Sequence, residues 1–183
     1  MGFVTIRQAK CKNWRRERRL RITSTKVYSL INAFLKQKDH HELVKICLGK
    51  KLPKKDLPQF VYGREREDKA KAKFCEVTKL KVYDIGLVCK HLFSWFGASP
   101  DGIIRSGSDI GILEVKCLYS FRDDEKIGKV KCLNKKGNLR KKTLYYNQIQ
   151  MNCWVTGATF AYLFCFTDQD YKLVPVEVDT DFA

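Results

Sequence analysis

The sequence predicts an α/β (α+β) fold in which helices flank a central mixed β-sheet. Two observations predict this class: apolar residues recur at helical spacing in three segments, and short β-rich runs lie between those segments. A chain of 183 residues is also long enough for one compact domain, which at this size buries about two-thirds of its unfolded surface. We therefore expect a single domain over residues 1–183.

Three segments have the pattern of helices, residues 23–38, 62–78 and 143–157. The first begins with the run Thr-Ser-Thr, which supplies an N-cap in Ser24 or Thr25, and places Val27, Ile31 and Phe34 on one face. The third ends at Gly157, a residue type that favours the end of a helix. A loop is predicted between the first two helices, over residues 49–58, because two prolines interrupt the pattern.

The predicted strands are residues 82–89, 91–96, 102–105, 110–117, 158–166 and 171–178. The polar turn "TDQD" joins the last two. A lysine-rich hairpin is predicted over residues 129–142, with its turn near Asn134–Asn138.

The charge of the chain points to a polyanionic partner. Thirty-six Lys and Arg residues face twenty Asp and Glu residues, so the formal net charge is +16. Two segments, residues 7–21 and 126–142, concentrate the excess, and basic stripes near aromatic residues suit phosphates and bases. The clusters alone would also fit a ribosomal or nuclear-targeting protein.

The cysteines and the apolar runs indicate the cellular compartment of the protein. The eight cysteines are scattered without zinc-ribbon spacing, and several lie in apolar runs. The N-terminus lacks the apolar core of a signal peptide, and the longest apolar run, "ATFAYLFCF", is too short to cross a membrane. We expect an intracellular protein in a reducing compartment, with no membrane partner.

One strand carries a carboxylate and an amine in an apolar run. In "IGILEVKCL", Glu114 and Lys116 project from one face because strand side chains alternate. Upstream, "SPDG" forms a turn that presents Asp101 at the start of another strand. If the two strands are neighbours, Asp101 and Glu114 converge and need a cation between them. Alone, the Glu/Lys pair would more simply lie on an exposed face of the sheet.

Two helices supply further polar side chains. Glu67 shares a helical face with Ala70 and Phe74, where an unpaired charge is costly; the alternative is a Glu at the edge of that face reaching into water. Gln148 lies on an inward face of the third helix, either as a site residue or as a buried amide bonded to backbone. Gln150 lies on another face and is the weaker candidate.

Five ordered motifs resemble the lambda-exonuclease and YqaJ-like viral recombinase family of the PD-(D/E)xK nuclease superfamily. They are "WRRERRLRITST", "GREREDKAKAKF", "GASPDGII", "LEVKC" and "YYNQIQMNCWVTG". The resemblance spans roughly residues 14–166, and an ordered set of five motifs is far more specific than a lone PD…ExK pattern. The resemblance implies a restriction-endonuclease-like PD-(D/E)xK core within the mixed sheet.

The resemblance also implies roles for the acidic and amine side chains. Asp101 and Glu114 would bind a catalytic Mg²⁺ or Mn²⁺, with the carbonyl of Val115 as a further ligand. Glu67 would complete the metal shell directly or through water. Lys116 would orient or deprotonate the attacking water, and Gln148 would help to hold that water. In such a site a metal-bound water is more acidic, and the ion neutralises charge on the phosphate.

The basic segment 7–25 would bind the end of the DNA. Trp14 and Arg18 match the Trp and Arg positions of the family's entry motif. The resemblance therefore implies that Arg18 binds the 5′-terminal phosphate. Thr23, Ser24 and Thr25 begin the first predicted helix, whose free N–H groups attract anions. The fork of the arginine side chain matches phosphate oxygens.

The implied function is a metal-dependent deoxyribonuclease, a 5′→3′ exonuclease on linear duplex DNA that serves viral or mobile-element recombination or replication in the nucleus or cytoplasm of a host. The alternatives are an alkaline endonuclease that also cuts RNA and a catalytically inactive module that binds DNA ends. A single-strand-annealing recombinase is an expected partner, and the chain acts either as a monomer or as a ring-shaped homo-oligomer.

Overall fold

The computed structural model describes residues 2, 3, 5, 8, 11–48 and 57–182 of the chain. Within this part the helices are α1 (Lys12–Arg19), α2 (Ser24–Leu35), α3 (His40–Leu48), α4 (Pro58–Thr78) and α5 (Leu144–Thr156). The strands are β1 (Gly2–Phe3), β2 (Ile22–Thr23), β3 (Val82–Tyr83), β4 (Val88–Cys89), β5 (Phe96–Ala98), β6 (Gly102–Ser106), β7 (Asp109–Cys117), β8 (Phe160–Phe166) and β9 (Tyr171–Glu177). The helices and mixed sheets confirm the predicted α+β class.

The larger sheet has the strand order β3-β6-β7-β8-β9. Strands β7 and β8 are parallel, and the other neighbours are antiparallel. A parallel pair needs a crossover connection, and α5 lies within the segment that links β7 to β8. The smaller sheet, in the order β1-β4-β5-β2, consists of strands of two or three residues.

The larger sheet has an apolar core on each of its faces. On one face, Ala70 and Phe74 of α4 pack with Leu113 and Val115 of β7. On the other face, Ile112 of β7 packs in a cluster with residues of α5. Because side chains alternate along a strand, β7 contributes to both cores, as its sequence predicts.

Several predicted helices have different bounds in the structure. The first predicted helix is α2, and its N-cap position is occupied by Thr23 rather than by Ser24 or Thr25. Of the three residues predicted to share one face of this helix, Val27 is buried, whereas Ile31 and Phe34 are exposed. Helix α4 begins at Pro58 because proline is tolerated in the first turn of a helix. The rest of the loop predicted over 49–58 lies outside the described residues, apart from Leu57.

Two of the predicted strands are wrong in extent. Residues 82–89 form two short strands in different sheets. The chain passes from one sheet to the other near Gly86, and a glycine fits there because a Cβ atom would lie 2.1 Å from the carbonyl oxygen of Thr5. Residues 91–95 form a turn closed by hydrogen bonds from Phe93 N to Lys90 O at 3.2 Å and from Phe96 N to Phe93 O at 2.9 Å.

The predicted hairpin over 129–142 is reduced to one bridge between Leu133 and Leu139. The turn itself lies where it is predicted, near Asn134–Asn138, and the backbone N–H of Asn134 donates to the carbonyl oxygen of Asn138 at 2.9 Å. Oδ1 of Asn134 accepts hydrogen bonds from the backbone N–H groups of Lys136 at 2.9 Å and Asn138 at 3.0 Å. The asparagine side chain thus stabilises the turn.

Among the described residues, no helix is both long and apolar enough to span a membrane.

Candidate active site

The pairing of β6 with β7 brings two carboxylates together. Gly102 lies opposite Leu113 in this antiparallel pair, so the preceding residue, Asp101, comes beside Glu114 on the same face of the sheet. Oδ2 of Asp101 accepts a hydrogen bond from the backbone N–H of Val115 at 2.7 Å. The convergence that the sequence predicts for Asp101 and Glu114 is therefore present.

A close approach of β3 requires the glycine that follows Asp101. A Cβ atom at Gly102 would lie only 2.2 Å from Cγ1 of Val82. The glycine of the "SPDG" turn thus lets the edge strand pack against the strand that begins just after the Asp101 carboxylate.

Glu114 is buried, with 1% of its surface exposed. Its Oε1 accepts hydrogen bonds from Nζ of Lys116, at 2.5 Å, and from Nε2 of Gln148. Its Oε2 accepts a hydrogen bond from Nδ2 of Asn152 at 3.2 Å. A buried charge is tolerated when it is paired and hydrogen-bonded, and one amine and two helix amides meet that condition here.

The pKa values of the site reflect a crowded pair of carboxylates. Burial, and then the negative charge of Glu114, raise the pKa of Asp101 to about 8. Burial would lower the pKa of Lys116, but the negative charges of Glu114 and Asp101 outweigh it and raise that pKa. The protonated amine of Lys116 is one positive charge that balances this pair.

The donor set fits a hard divalent cation. Asp101 and Glu114 present carboxylate oxygens, the ligand type that Mg²⁺ and Mn²⁺ prefer. Asp101 resists ionisation next to Glu114, and a cation between two such carboxylates would relieve that repulsion.

Glu67 of α4 is paired with a lysine on its own helix. Its side chain, 35% exposed, forms an ion pair with Lys71 at 2.8 Å. Its charge still contributes to the raised pKa of Asp101. Among the described residues, no group of three or more His, Cys, Asp or Glu side chains is arranged to hold a metal ion. The roles predicted for Glu67 and for the carbonyl of Val115 as metal ligands stay predictions.

Arg18 faces the carboxylate pair from α1. Burial lowers the pKa of Arg18, while the negative charges of Glu114 and Asp101 act in the opposite direction. Its guanidinium lies over the ring of Trp14, with Cζ 4.5 Å from the ring centroid. The indole Nε1 of Trp14 donates in turn to Oγ of Ser99 at 3.1 Å. The entry motif and the "SPDG" turn are thus in direct contact.

The start of α2 completes this side of the site. Nη2 of Arg18 donates to Oγ1 of Thr25 at 3.1 Å, and the hydroxyls of Thr25 and Thr23 lie 3.2 Å apart. Thr23 and Ser24 are buried. Thr25 is thus the residue of this helix start that accepts a hydrogen bond from the Arg18 side chain.

The structure adds Asn152, which the sequence reasoning missed. It lies one helical turn after Gln148, fully buried, and its Oδ1 has no hydrogen-bond partner. The spacing of four residues from Gln148 was the available signal, because such residues share a helix face. Gln150, the weaker candidate, instead binds the backbone of Glu177 and Asp179.

The comparisons with known proteins agree with this architecture. The model of the YqaJ-like viral recombinase domain matches residues 13–159. Among curated proteins, none matches the chain significantly in sequence.

Solved structures share the fold at low sequence identity. An alkaline exonuclease from Laribacter hongkongensis, LHK-Exo, superposes with a TM-score of 0.66 at 22% identity, covering 92% of this chain and 83% of that one. The same enzyme in complex with dAMP gives a TM-score of 0.70 at 23% identity, covering 94% and 85%. A phage-related exonuclease from Haemophilus somnus 129PT gives 0.60 at 13% identity, covering 90% and 87%.

The family match extends from the basic helix α1 through both carboxylates and α5, so it includes every element that forms the site. The chain belongs to the YqaJ-like viral recombinase domain family.

Proposed function

We propose that the chain is a metal-dependent deoxyribonuclease of the PD-(D/E)xK type that degrades linear duplex DNA from its 5′ ends, in the recombination or replication of viral or mobile-element DNA. The observation that carries this proposal is the cluster of Asp101, Glu114, Lys116 and Gln148, with Arg18 beside it. Membership of the YqaJ-like family and the fold shared with proteins named as exonucleases support it.

The cofactor we propose is Mg²⁺ or Mn²⁺, held by Asp101 and Glu114. When bound, such an ion makes a coordinated water more acidic and neutralises charge on the phosphate. Glu114 is already oriented for this role, because Lys116, Gln148 and Asn152 fix both of its oxygens. A ligand held in one orientation avoids the entropic cost of ordering it when the ion binds.

Lys116 acts in this proposal as a positioning cation. In the metal-free protein its two acidic neighbours raise its pKa, so the amine is protonated there and has hydrogen bonds to donate. A protonated amine orients a water or a phosphate oxygen, whereas a general base must first lose its proton.

Arg18 is proposed to bind the terminal 5′-phosphate. Its guanidinium is fixed by Trp14 and Thr25 and faces the carboxylate pair. Arg binds phosphate oxygens with two parallel hydrogen bonds. A phosphate held there would bring the first nucleotide of a DNA strand to the proposed site of hydrolysis.

The test uses four substrates: linear duplex with 5′-phosphate ends, the same duplex with 5′-hydroxyl ends, circular duplex and single-stranded RNA. Each is incubated with Mg²⁺, with Mn²⁺ or with EDTA. We expect loss of linear DNA only, no cleavage in EDTA, and a rate at least about 100-fold lower for Lys116→Ala. Cleavage of circles or RNA would indicate the alkaline endonuclease, and binding without cleavage in either metal would indicate the inactive DNA-end-binding module.

The Arg18 assignment has a matched control on the same helix. Arg19 is exposed and adjacent in sequence. We expect Arg18→Ala to remove the preference for 5′-phosphate over 5′-hydroxyl ends and Arg19→Ala to keep it. Equal effects of the two substitutions on that preference would refute the assignment.

The remaining expectations stay predictions. They are an intracellular, reducing compartment (the nucleus or cytoplasm of a host), a single-strand-annealing recombinase as partner, and a monomer or a ring-shaped homo-oligomer as the active form. The oligomeric state can be measured by light scattering during gel filtration.

A further inference from the structure

A turn with exposed apolar side chains follows β4. We name residues 90–95 the aromatic turn. Its Leu92, Phe93 and Trp95 are 76%, 41% and 53% exposed. Apolar side chains gathered on the surface of a protein mark a binding surface more often than singly scattered ones do.

Hydrogen bonds hold the backbone of the aromatic turn in place. Besides the bonds that close the turn, the backbone N–H of Ile22 donates to Trp95 O at 2.8 Å, and Nε of Arg21 donates to Ser94 O at 3.0 Å. The turn is thereby attached to the chain segment that follows α1.

Ring contacts support the exposed aromatic side chains from beneath. The ring of Phe93 stacks on that of Trp154 with centroids 6.3 Å apart, and it meets the ring of Trp95 edge to face at 5.5 Å. Nζ of Lys90 lies over the Trp154 ring and donates to the Trp154 carbonyl oxygen at 2.6 Å. The aromatic surface is therefore ordered before any partner arrives, which lowers the entropic cost of binding.

The positive charge around the turn favours nucleic acid over a second copy of this chain as the partner. Arg21 contacts the turn directly, and α1, which ends two residues earlier, contributes further positive charge; its exposed arginines are Arg15, Arg16 and Arg19. A second copy of a chain with net charge +16 would bring like charge to this surface. Nucleic acid brings the opposite charge together with flat rings that stack on aromatic side chains.

The turn lies within reach of the candidate active site. Trp95 precedes Asp101 by six residues, through β5. At about 3.3 Å per extended residue, the two are separated by at most about 20 Å, which equals roughly six base-pair steps of duplex DNA. A nucleic acid bound at the carboxylates could therefore also contact the turn.

We propose that the aromatic turn is a stacking platform for unpaired bases of a single DNA strand at the end of a duplex. This inference rests on the proposed function, because degradation from a 5′ end leaves the complementary strand unpaired next to the enzyme. Phe93 and Trp95 contact the bases, and the neighbouring arginines contact the phosphates.

The test separates stacking from charge. Binding of two 3′-tailed duplexes is measured by fluorescence anisotropy in EDTA, one with a natural tail and one with a tail of abasic nucleotides. The wild-type protein should bind the natural tail about 5-fold more tightly or better, the low end for one base stacked on an aromatic ring. Phe93→Ala/Trp95→Ala should lose this preference while the dependence of binding on salt stays the same.

Single substitutions distinguish loss of stacking from misfolding of the double variant. Trp95→Ala alters only the more exposed ring and should lower the preference, and Trp95→Phe should restore it. Phe34→Ala is the matched control, because Phe34 is 74% exposed on α2, outside the turn, and should bind both tails as the wild type does. Equal binding of both tails by the wild type, or a preference that persists in the double variant, would overturn the proposal and leave a protein partner as the occupant of the surface.

The outcome is independent of the proposed nuclease activity. Cleavage of linear duplex with Mg²⁺ is measured for the same proteins in parallel. Cleavage without any tail preference refutes the stacking platform alone. A tail preference without cleavage refutes the proposed function and leaves the stacking platform supported.

Discussion

Replacing Asp101 with asparagine should stabilise the metal-free protein at pH 8. Burial and the negative charge of Glu114 raise the pKa of Asp101 from the ordinary 3.8 to about 8 in the folded protein. Between these two values, the folded protein keeps a proton that the unfolded chain releases. Stability therefore falls as the pH rises through this window, and asparagine, which does not titrate, removes the effect.

The magnitude follows from the size of the shift. At 1.36 kcal/mol per pKa unit, a rise in pKa from 3.8 to about 8 corresponds to roughly 6 kcal/mol. Asp101 retains partial exposure to solvent, which screens its charge, so we expect a gain of about 2–4 kcal/mol for Asp101→Asn at pH 8. In a chain of this size that is an increase of roughly 5–15 °C in melting temperature. At pH 5 the gain should be much smaller, because the wild-type carboxyl is then protonated in the folded state.

The measurement is thermal unfolding in EDTA from pH 5 to pH 8.5, repeated with Mg²⁺. Mg²⁺ should raise the melting temperature of the wild type at pH 8 more than that of Asp101→Asn, because a ligand stabilises only the state that binds it. Asp109→Asn is the control, since Asp109 is exposed at the start of β7. The reasoning is refuted if wild type and Asp101→Asn have the same pH dependence, or if Asp109→Asn reproduces the gain.

Three further substitutions test the packing and the orientation of the site. Gly102→Ala should lower the free energy of unfolding by about 1–3 kcal/mol, because its Cβ would lie 2.2 Å from Val82 Cγ1. Gly63→Ala on α4 should raise the free energy of unfolding by up to about 1 kcal/mol, because the added Cβ meets no atom within 4 Å. Chemical denaturation measures both changes. Asn152→Leu should weaken Mn²⁺ binding about 10-fold or more, measured by calorimetry, because Glu114 loses a donor that orients it. Unchanged Mn²⁺ affinity in Asn152→Leu would contradict the orienting role.

The sequence predicts the carboxylate pair well because strand geometry is regular. The alternation of side chains in β7 separates Glu114 and Lys116 from the core residue Val115. The two-residue turn between Ser106 and Asp109 sets the register that places Asp101 beside Glu114. The four-residue spacing from Gln148 places Asn152 on the same helix face, but it does not show that Asn152 contacts Glu114. A buried amide beside Gln148 reads in the sequence as one more polar residue of a helix, and only the distance to Glu114 distinguishes it.

The parts that the sequence misplaces are short or irregular. Strands of two or three residues, such as β3 and β4, are too short to show a period. The aromatic turn reads as a strand because aromatic residues favour strands in general, although here Phe93 and Trp95 are exposed on a turn. Phe34 fits the apolar face of a helix, yet no core from another element covers it in the described part of the chain.

The position of Glu114 links the fold to the proposed chemistry. One face of β7 is fixed by α4, through Leu113 and Val115, and the opposite face presents Glu114 to α5. Any shift of α5 along the sheet would remove Gln148 and Asn152 from the Glu114 carboxylate and leave a buried charge short of donors, which is strongly unfavourable. The same contacts that keep α5 in place therefore fix the orientation of the Glu114 carboxylate beside Asp101, where we propose that the two carboxylates bind a cation. Substitutions that loosen the packing of α5 on the sheet should accordingly reduce metal binding before they unfold the protein.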